Sequence, residues 1–360
     1  MSRLLVLALV LLAGCGGGSP APKHAAPAPS PQRLDAELAE QRDATGVPGV
    51  VAAVVVDGRL AWAGAAGQAG PGREMTVDTP MSFGSITKTV TATVALRLAE
   101  RGRLDLDAPV HRRVPEWRDA GDTTLRRLLS HTSGVADPGQ DFYVDPVKHP
   151  GRVYTPADWI AALPARFADA PATTPSYANA NFILAGLAIK RAAGREWLPL
   201  LRWAAPGLAV QPDERVRQRP AVGYWQPRLK RRTFPTGGSG MVPSTGMATT
   251  AWTAGGLAGP APALARFGDR LLGGHLLSND SLTQMTTFNA GTAMWSGYGL
   301  GLGRQRVDGH EVWGHGGDIP GFHAELWYLP DERLTLAAAW NDDRVDDDGM
   351  VRALLRVALA

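Results

Sequence analysis

The chain has 360 residues, of which 44% are hydrophobic and 20% are charged, with a formal net charge of +3. This composition is typical of a packed globular protein and excludes a disordered chain, and the charge is too small to indicate a nucleic-acid-binding protein. The eight histidines follow no metal-ligand spacing, so neither a metal nor another cofactor is expected.

The first 14 residues predict an export signal. Arg3 supplies a positive charge, and residues 4–12 form an apolar run that is too short to span a bilayer. The run ends in Leu12-Ala13-Gly14-Cys15, which resembles the bacterial lipobox. That resemblance implies cleavage before Cys15 and lipid attachment to its sulfur, and so a bacterial envelope protein anchored in a membrane. Cys15 is the single cysteine, so the alternative is a cleaved signal that leaves a spare thiol.

The rest of the chain divides by composition. Residues 15–31 are rich in Gly, Pro and Ala and predict a flexible tether. Residues 32–360 are enough for one large domain, with strand signals at both ends and helical signals in the middle. We therefore expect an α/β lobe from residues 32–84 and 236–360, and an inserted, mainly helical lobe over residues 85–235.

The predicted elements begin with a helix over residues 32–45, which Gly46 ends. Two apolar runs, residues 50–56 and 60–64, flank Asp57-Gly58 and predict a hairpin. The next helix starts near Ser85 and stops at about Gly102. The later predictions are a short helix within residues 123–134, a helix led by Thr155-Pro156, a helix over 181–193, Gly-rich loops and short strands beyond 236, a hairpin around 330–333 and a C-terminal helix over 350–359.

The helix that starts near Ser85 carries the first candidate catalytic motif. Ser85 and Lys88 are three residues apart, so they share one helix face. The partial positive charge at a helix N-terminus disfavours an ammonium and favours an oxyanion. A lysine in that place can lose its proton near neutral pH and act as the base for a serine nucleophile. The four-residue motif is common, so its meaning depends on the rest of the chain.

Two further motifs follow in order, Tyr177-Ala178-Asn179 and His315-Gly316-Gly317. With them the chain resembles the serine β-lactamase and penicillin-binding-protein superfamily over about residues 46–341. The similarity is strongest to its class C-like branch, which includes DD-peptidases, D-aminopeptidases and family VIII esterases. The resemblance implies an α+β fold, in which an antiparallel sheet is flanked by helices and carries an inserted helical lobe.

The resemblance also implies a role for each motif residue. Ser85 would attack a carbonyl and become acylated, and either Lys88 or Tyr177 would serve as its base. Asn179 would hold Lys88 and the substrate by hydrogen bonds. His315, Gly316 and Gly317 would line the substrate cleft. The backbone N–H groups of Ser85 and Asp318 would form the oxyanion hole. This set performs acyl transfer without a metal or a cofactor.

One departure from the family pattern bears on the substrate. Gly316 stands where DD-peptidases and β-lactamases usually have a Thr or Ser that helps to bind a substrate carboxylate. Peptides that end in D-amino acids (carboxypeptidase-type substrates) and small esters stay open as substrates, with β-lactams the least favoured. Gly316 itself favours esters or uncharged peptides. On this reasoning Gly316→Thr should raise activity on carboxylate-bearing substrates.

Other interpretations stay open at this level. The chain could be a β-lactamase, or a catalytically idle envelope-binding module that keeps the fold. Ser130-His131 could suggest a Ser/His pair, but its position at a predicted helix end favours a structural corner. The basic stretch within residues 215–232 indicates a solvated face more readily than a lipid-binding one. The sequence does not indicate an oligomeric state.

Overall fold

The structure of the chain, a computed structural model, describes residues 30–117, 121–164, 174–210, 220–225, 232–233, 245–292, 294–343 and 349–360. The predicted export signal, Cys15, nearly all of the predicted tether and most of the basic stretch lie outside these residues. In the part of the chain that is described, no helix is both long enough and apolar enough to span a membrane.

The described residues form helices and strands that are numbered here in chain order. The helices are α1 (Pro31–Thr45), α2 (Thr87–Ala99), α3 (Leu125–Leu129), α4 (Gln140–Lys148), α5 (Pro156–Ala162), α6 (Asn179–Ala193), α7 (Trp197–Ala204), α8 (Thr245–Gly255), α9 (Ala261–Leu272), α10 (Asn279–Met285) and α11 (Gly349–Leu359). The strands are β1 (Gly49–Val56), β2 (Arg59–Gly70), β3 (Arg73–Glu74), β4 (Met81–Ser82), β5 (Ala209–Val210), β6 (Tyr224–Trp225), β7 (Arg232–Thr233), β8 (Leu257–Gly259), β9 (Gly297–Tyr298), β10 (Gly303–Val307), β11 (His310–Ile319), β12 (Phe322–Leu329) and β13 (Leu334–Trp340). Two 3-10 turns cover Gly84–Ile86 and Val110–Arg112.

An eight-stranded sheet organises the fold, with the strand order β3-β2-β1-β13-β12-β11-β10-β9. Its neighbouring strands are antiparallel. The two ends of the chain meet in it, because β1 pairs with β13 from Val50 opposite Trp340 to Val56 opposite Leu334. The helices α2 to α7 lie between β4 and β5 in the chain. The predicted α+β fold, with helices flanking an antiparallel sheet and a mainly helical insertion, is confirmed.

Both faces of the central strands β1, β13 and β12 are buried. Along β1 the odd-numbered residues belong to the core that contains α9, and the even-numbered residues pack with α1 and α11. A strand covered on both faces needs apolar residues at every position, which explains the unbroken run Gly-Val-Val-Ala-Ala-Val-Val-Val. The hairpin that follows uses Asp57 and Gly58 with φ angles of 48° and 78°, as the predicted tight turn requires.

Helix α2 is the central helix of the insertion. Its residues are buried from Thr87 through Leu96, and it contacts α6, α7 and α8. Its buried hydroxyls are paired: Thr89 donates to Gly301 O at 2.7 Å, and Thr91 donates to Thr253 O at 2.7 Å. A lysine in the first turn of this helix therefore lies inside the protein, not at its surface.

The prediction for residues beyond 236 was wrong in part, because α8, α9 and α10 occupy much of that region. Helix α9 contains Pro262 in its first turn and Gly268 in its interior, and both residues suggest a loop when read from sequence. A Cβ at Gly268 would lie 2.7 Å from the Leu326 side chain, so this glycine lets α9 approach the sheet. Helix α3 is also shorter than predicted and ends at Leu129.

Candidate active site

Ser85 lies in the 3-10 turn Gly84–Ile86, which leads directly into α2. Strand β11 runs closely against this turn. Gly84 has a φ of +47°, and a Cβ there would lie 2.7 Å from Asp318 N. A Cβ at Gly317 would lie 3.1 Å from Ser85 N and would collide with Phe83 O. Glycine at both positions therefore allows the backbone amides of Ser85 and Asp318, the predicted oxyanion hole, to lie side by side.

Lys88 is fully buried, and its ammonium nitrogen has three acceptors. Nζ lies 2.9 Å from Ser85 Oγ, 2.8 Å from Asn179 Oδ1 and 2.8 Å from Ala254 O. The carbonyl of Ala254 is available because it lies in the last turn of α8, where carbonyls have no partner within the helix. The predicted Ser85–Lys88 contact is thus present, with Asn179 on the same nitrogen.

Burial sets the protonation of this lysine. It lowers the pKa of Lys88 to about 7, while the attraction of the Asp137 carboxylate opposes the shift. The neutral amine has two N–H groups and one lone pair. If the N–H groups donate to Asn179 Oδ1 and Ala254 O, the lone pair faces the hydroxyl of Ser85. That arrangement lets Lys88 accept the Ser85 proton near neutral pH.

Asn179 is oriented by two groups that sequence reasoning missed. Its Nδ2 donates to Tyr143 Oη at 3.3 Å and to Asp137 Oδ2 at 3.4 Å, which turns Oδ1 toward Lys88. The other oxygen of Asp137 accepts the N–H of Ala180 at 2.8 Å, in the first turn of α6. Asp137 stands alone in sequence with no motif around it, so only the folded chain reveals this contact.

Tyr177 lies two residues before α6 and faces both predicted partners. Lys88 Nζ is 4.8 Å from the centre of its ring, and Ser85 interacts with its hydroxyl. Burial raises the pKa of Tyr177 well above its usual value of 10, although the hydrogen bond to Ser85 works in the opposite direction. At neutral pH the phenol is therefore protonated and can donate a proton.

His131 holds the segment that carries Tyr177. It follows the end of α3 with a φ of 57°, and its carbonyl accepts the N–H of Ser176 at 2.8 Å. Its Nδ1 accepts from Ala178 N at 3.3 Å and from Asn181 Nδ2 at 3.0 Å. Its ring lies 4.4 Å from the Tyr177 ring. These contacts agree with the predicted structural corner and not with a catalytic Ser/His pair.

His315 lines the cleft as a neutral imidazole. Burial, and then the nearby charge of Lys88, lower its pKa to about 3. Nδ1 donates to Gly316 O at 2.5 Å, so Nε2 is the acceptor for the Tyr298 hydroxyl at 3.1 Å. Its ring centre lies 6.2 Å from that of Tyr177. The structure therefore brings His315 to the predicted site, but as a hydrogen-bonding group without positive charge.

Gly316 lies beside a buried carboxylate that the sequence did not predict. It is opposite Glu325 across β11 and β12, and a Cβ at Gly316 would lie 3.1 Å from Glu325 Oε1. The same oxygen accepts from His323 Nε2 at 2.8 Å, and His323 Nδ1 donates to Asp318 Oδ1 at 2.6 Å. Burial alone would lower the pKa of His323, but the hydrogen bonds to both carboxylates raise it to about 10, so it is a cation.

The site opens into a cleft of about 630 Å³. Ser85, Tyr177, Asn179, His315 and Gly316 all line it, so residues from three separate motifs share one space. Its walls are largely aromatic and apolar, from Tyr143, Trp159, Met247, Met294, Trp295 and Trp327. Within the described ranges, no group of three or more His, Cys, Asp or Glu side chains is arranged to hold a metal ion.

Comparisons with known proteins agree with this geometry. A family model described as Beta-lactamase matches residues 34–360. A solved D-stereospecific amidohydrolase from Streptomyces sp. has a TM-score of 0.76 and 29% identity, over 92% of this chain and 99% of that one. Penicillin-binding protein 4 of Amycolatopsis lactamdurans is 31% identical over 214 residues, 54% of this chain and 51% of that protein. Esterase EstB of Burkholderia gladioli is 40% identical over 111 residues, 29% of this chain and 28% of that protein. The chain thus matches about half or less of the length of these last two relatives.

Asp137→Asn should lower the pKa of Lys88 below its value of about 7, because the Asp137 carboxylate is the charge that opposes the effect of burial. An NMR titration of the Lys88 amine, in protein with isotope-labelled lysine, measures this pKa directly. Asp331→Asn is the matched control, since it removes an exposed carboxylate from the turn between β12 and β13. A pKa that stays the same or rises in the Asp137 variant would contradict the assignment.

Proposed function

The chain belongs to the beta-lactamase family, and from this premise we propose that it hydrolyses an amide or ester through an acyl-enzyme on Ser85. The observation that carries the proposal is the contact between Ser85 Oγ and the buried Lys88 amine at 2.9 Å. A buried lysine with a pKa near 7 is partly neutral at physiological pH, and a neutral amine is a competent base for a serine hydroxyl.

In the proposed acylation, Ser85 Oγ bonds to the substrate carbonyl carbon while its proton passes to Lys88 Nζ. The carbonyl oxygen becomes an oxyanion, which the N–H groups of Ser85 and Asp318 bind; each such donor is worth roughly 10²–10³ in rate. When the tetrahedral intermediate collapses, the bond to the leaving group breaks. The departing amine or alkoxide takes a proton from the Tyr177 hydroxyl, which Lys88 replenishes. Water then attacks the acyl-enzyme by the same route and releases Ser85.

The pKa shifts of Lys88 and Tyr177 support different roles for these two candidate bases. The pKa of Lys88 is lowered toward neutrality, whereas the pKa of Tyr177 is raised above its usual value. We therefore propose Lys88 as the base and Tyr177 as the proton relay to the leaving group. His315 carries no charge at neutral pH, so its proposed part is to hold Tyr298 and the Gly316 carbonyl at the edge of the cleft.

For the substrate class we propose amides or esters whose acyl part derives from a D-amino acid or a short D-peptide. A D-stereospecific amidohydrolase covers nearly the whole chain at 29% identity, and an esterase is similar over 111 residues. The assembled set of Ser85, Lys88, Tyr177 and Asn179 disfavours an idle binding module, because binding alone does not need a serine beside a neutral amine.

Ser85→Ala should abolish covalent labelling by a fluorophosphonate, since the labelled atom is removed. Intact-mass measurement of the labelled protein reads out the adduct. Ser278→Ala is the matched control: it removes the hydroxyl that caps α10, which costs on the order of 1 kcal/mol of stability, and should leave labelling in place. Undiminished labelling of the Ser85 variant would refute the nucleophile.

The structure changes the expectation for Gly316→Thr. A Cβ at this position would lie 3.1 Å from Glu325 Oε1, so the new hydroxyl would donate to Glu325 and not to a substrate carboxylate. We now expect no gain in kcat/KM for carboxylate-bearing substrates relative to neutral esters. Gly316→Ala, which adds the Cβ without the hydroxyl, is the control. A ratio about tenfold higher in the Thr variant than in the Ala variant, or 1.4 kcal/mol, would overturn this expectation.

We also propose that the protein is exported to the bacterial envelope and anchored by a lipid on Cys15, as its lipobox-like sequence suggests. Cys15→Ala should then move the protein from the membrane fraction to the soluble fraction of cells, because the sulfur that carries the lipid is gone. Immunoblots of fractionated cells measure the shift, with Ser19→Ala in the tether as the control. Equal fractionation of both variants would count against the anchor.

A further inference from the structure

Asp318 presents two groups beside the nucleophile, a backbone N–H and a side-chain carboxylate, and the proposed reaction uses only the N–H. Its backbone nitrogen lies against the turn that carries Ser85, where the substrate carbonyl oxygen would bind in the proposed reaction. Its side chain lines the same cleft and is 70% exposed. One residue therefore presents a hydrogen-bond donor for the reacting carbonyl and a carboxylate close beside it.

The carboxylate of Asp318 is held in place. His323 Nδ1 donates to Asp318 Oδ1 at 2.6 Å. On the other side of the ring, His323 Nε2 donates to Glu325 Oε1 at 2.8 Å. The His323 ring also stacks on Trp340, with ring centres 4.6 Å apart and an angle of 24°. Glu325 and Trp340 are both buried, so they hold the His323 imidazole in place. The hydrogen bond from His323 in turn restricts the Asp318 carboxylate to the cleft.

The rest of the cleft carries little exposed charge. Among the described residues that line it, the other charged side chains are His323 and Glu325, which are only 4% and 6% exposed. His315 is neutral, and Lys88 lies behind Ser85 with its Nζ in contact with three protein oxygens. An incoming molecule therefore meets an anion at Asp318 and no exposed cation along the described lining, which favours a positively charged substrate group and opposes a carboxylate.

We propose that Asp318 determines specificity by binding an ammonium group on the carbon next to the scissile carbonyl. This inference rests on the proposed function. The carbonyl oxygen and an α-ammonium are three bonds apart in an amino-acid amide, and the N–H and carboxylate of one residue can contact both. The substrate would then be an amino-acid or peptide amide or ester whose acyl part keeps its free amino group.

Competition with fluorophosphonate labelling of Ser85 tests the inference without requiring turnover. The two competitors are D-phenylalanine amide and 3-phenylpropanamide, which differ by the ammonium group alone. The wild-type protein should be protected by the charged amide at about one tenth of the concentration that the neutral amide needs, or less. In Asp318→Asn and Asp318→Ser the two amides should protect at about equal concentrations. Asp318→Glu should keep part of the preference for the charged amide. Asp331→Asn is the control for loss of an exposed carboxylate and should keep the wild-type preference.

Equal protection by the two amides in the wild-type protein would overturn the inference, as would a preference that survives in both charge-removing variants. In either case the proposed function would still stand, because the same reactions measure labelling at Ser85. Absence of Ser85-dependent labelling in the wild-type protein would overturn the proposed function, and this inference with it.

Discussion

The site depends on one amine buried in the first turn of α2. Moving an ammonium from water into a protein interior costs several kcal/mol, so Lys88 is tolerated only with its hydrogen bonds filled and its pKa reduced. Three parts of the fold meet this demand: Ser85 from the preceding turn, Asn179 from α6 and the Ala254 carbonyl from the end of α8. The same contacts that make the burial possible place an amine with a lowered pKa against the Ser85 hydroxyl.

The second constraint is the close approach of β11 to the turn that carries Ser85. Side chains at Gly84 or Gly317 would occupy backbone positions of the opposite segment. The two glycines therefore work as a pair, one in each segment, and allow the two backbone segments to lie in contact beside the nucleophile proposed above. Since β11 pairs with β12 from Trp313 to Ile319, this geometry is supported by the main sheet and not by a loop.

The sequence motifs predicted the fold class and the meeting of Ser85, Lys88, Tyr177, Asn179 and His315, because local spacing and family order carry that information. Asp137 and Glu325 could not be predicted in the same way. Each is a single carboxylate without a pattern, and only the packing of α6 and the register of β11 on β12 bring them to the site. The lowered pKa of His315, about 3, could not be predicted either, because it depends on burial in the folded chain.

Three neighbouring positions on β11 favour the same kind of ligand. His315 is neutral, Gly316 has no hydroxyl, and Asp318 has an exposed carboxylate. Recognition of a substrate carboxylate needs a cation or a donor at this edge, and recognition of an ammonium needs an anion. Glu325 occupies the space beside Gly316, so a restored hydroxyl there would meet a protein acceptor first. The electrostatics of this edge therefore support the proposal of a substrate that carries an ammonium group, and not a carboxylate, next to the scissile carbonyl.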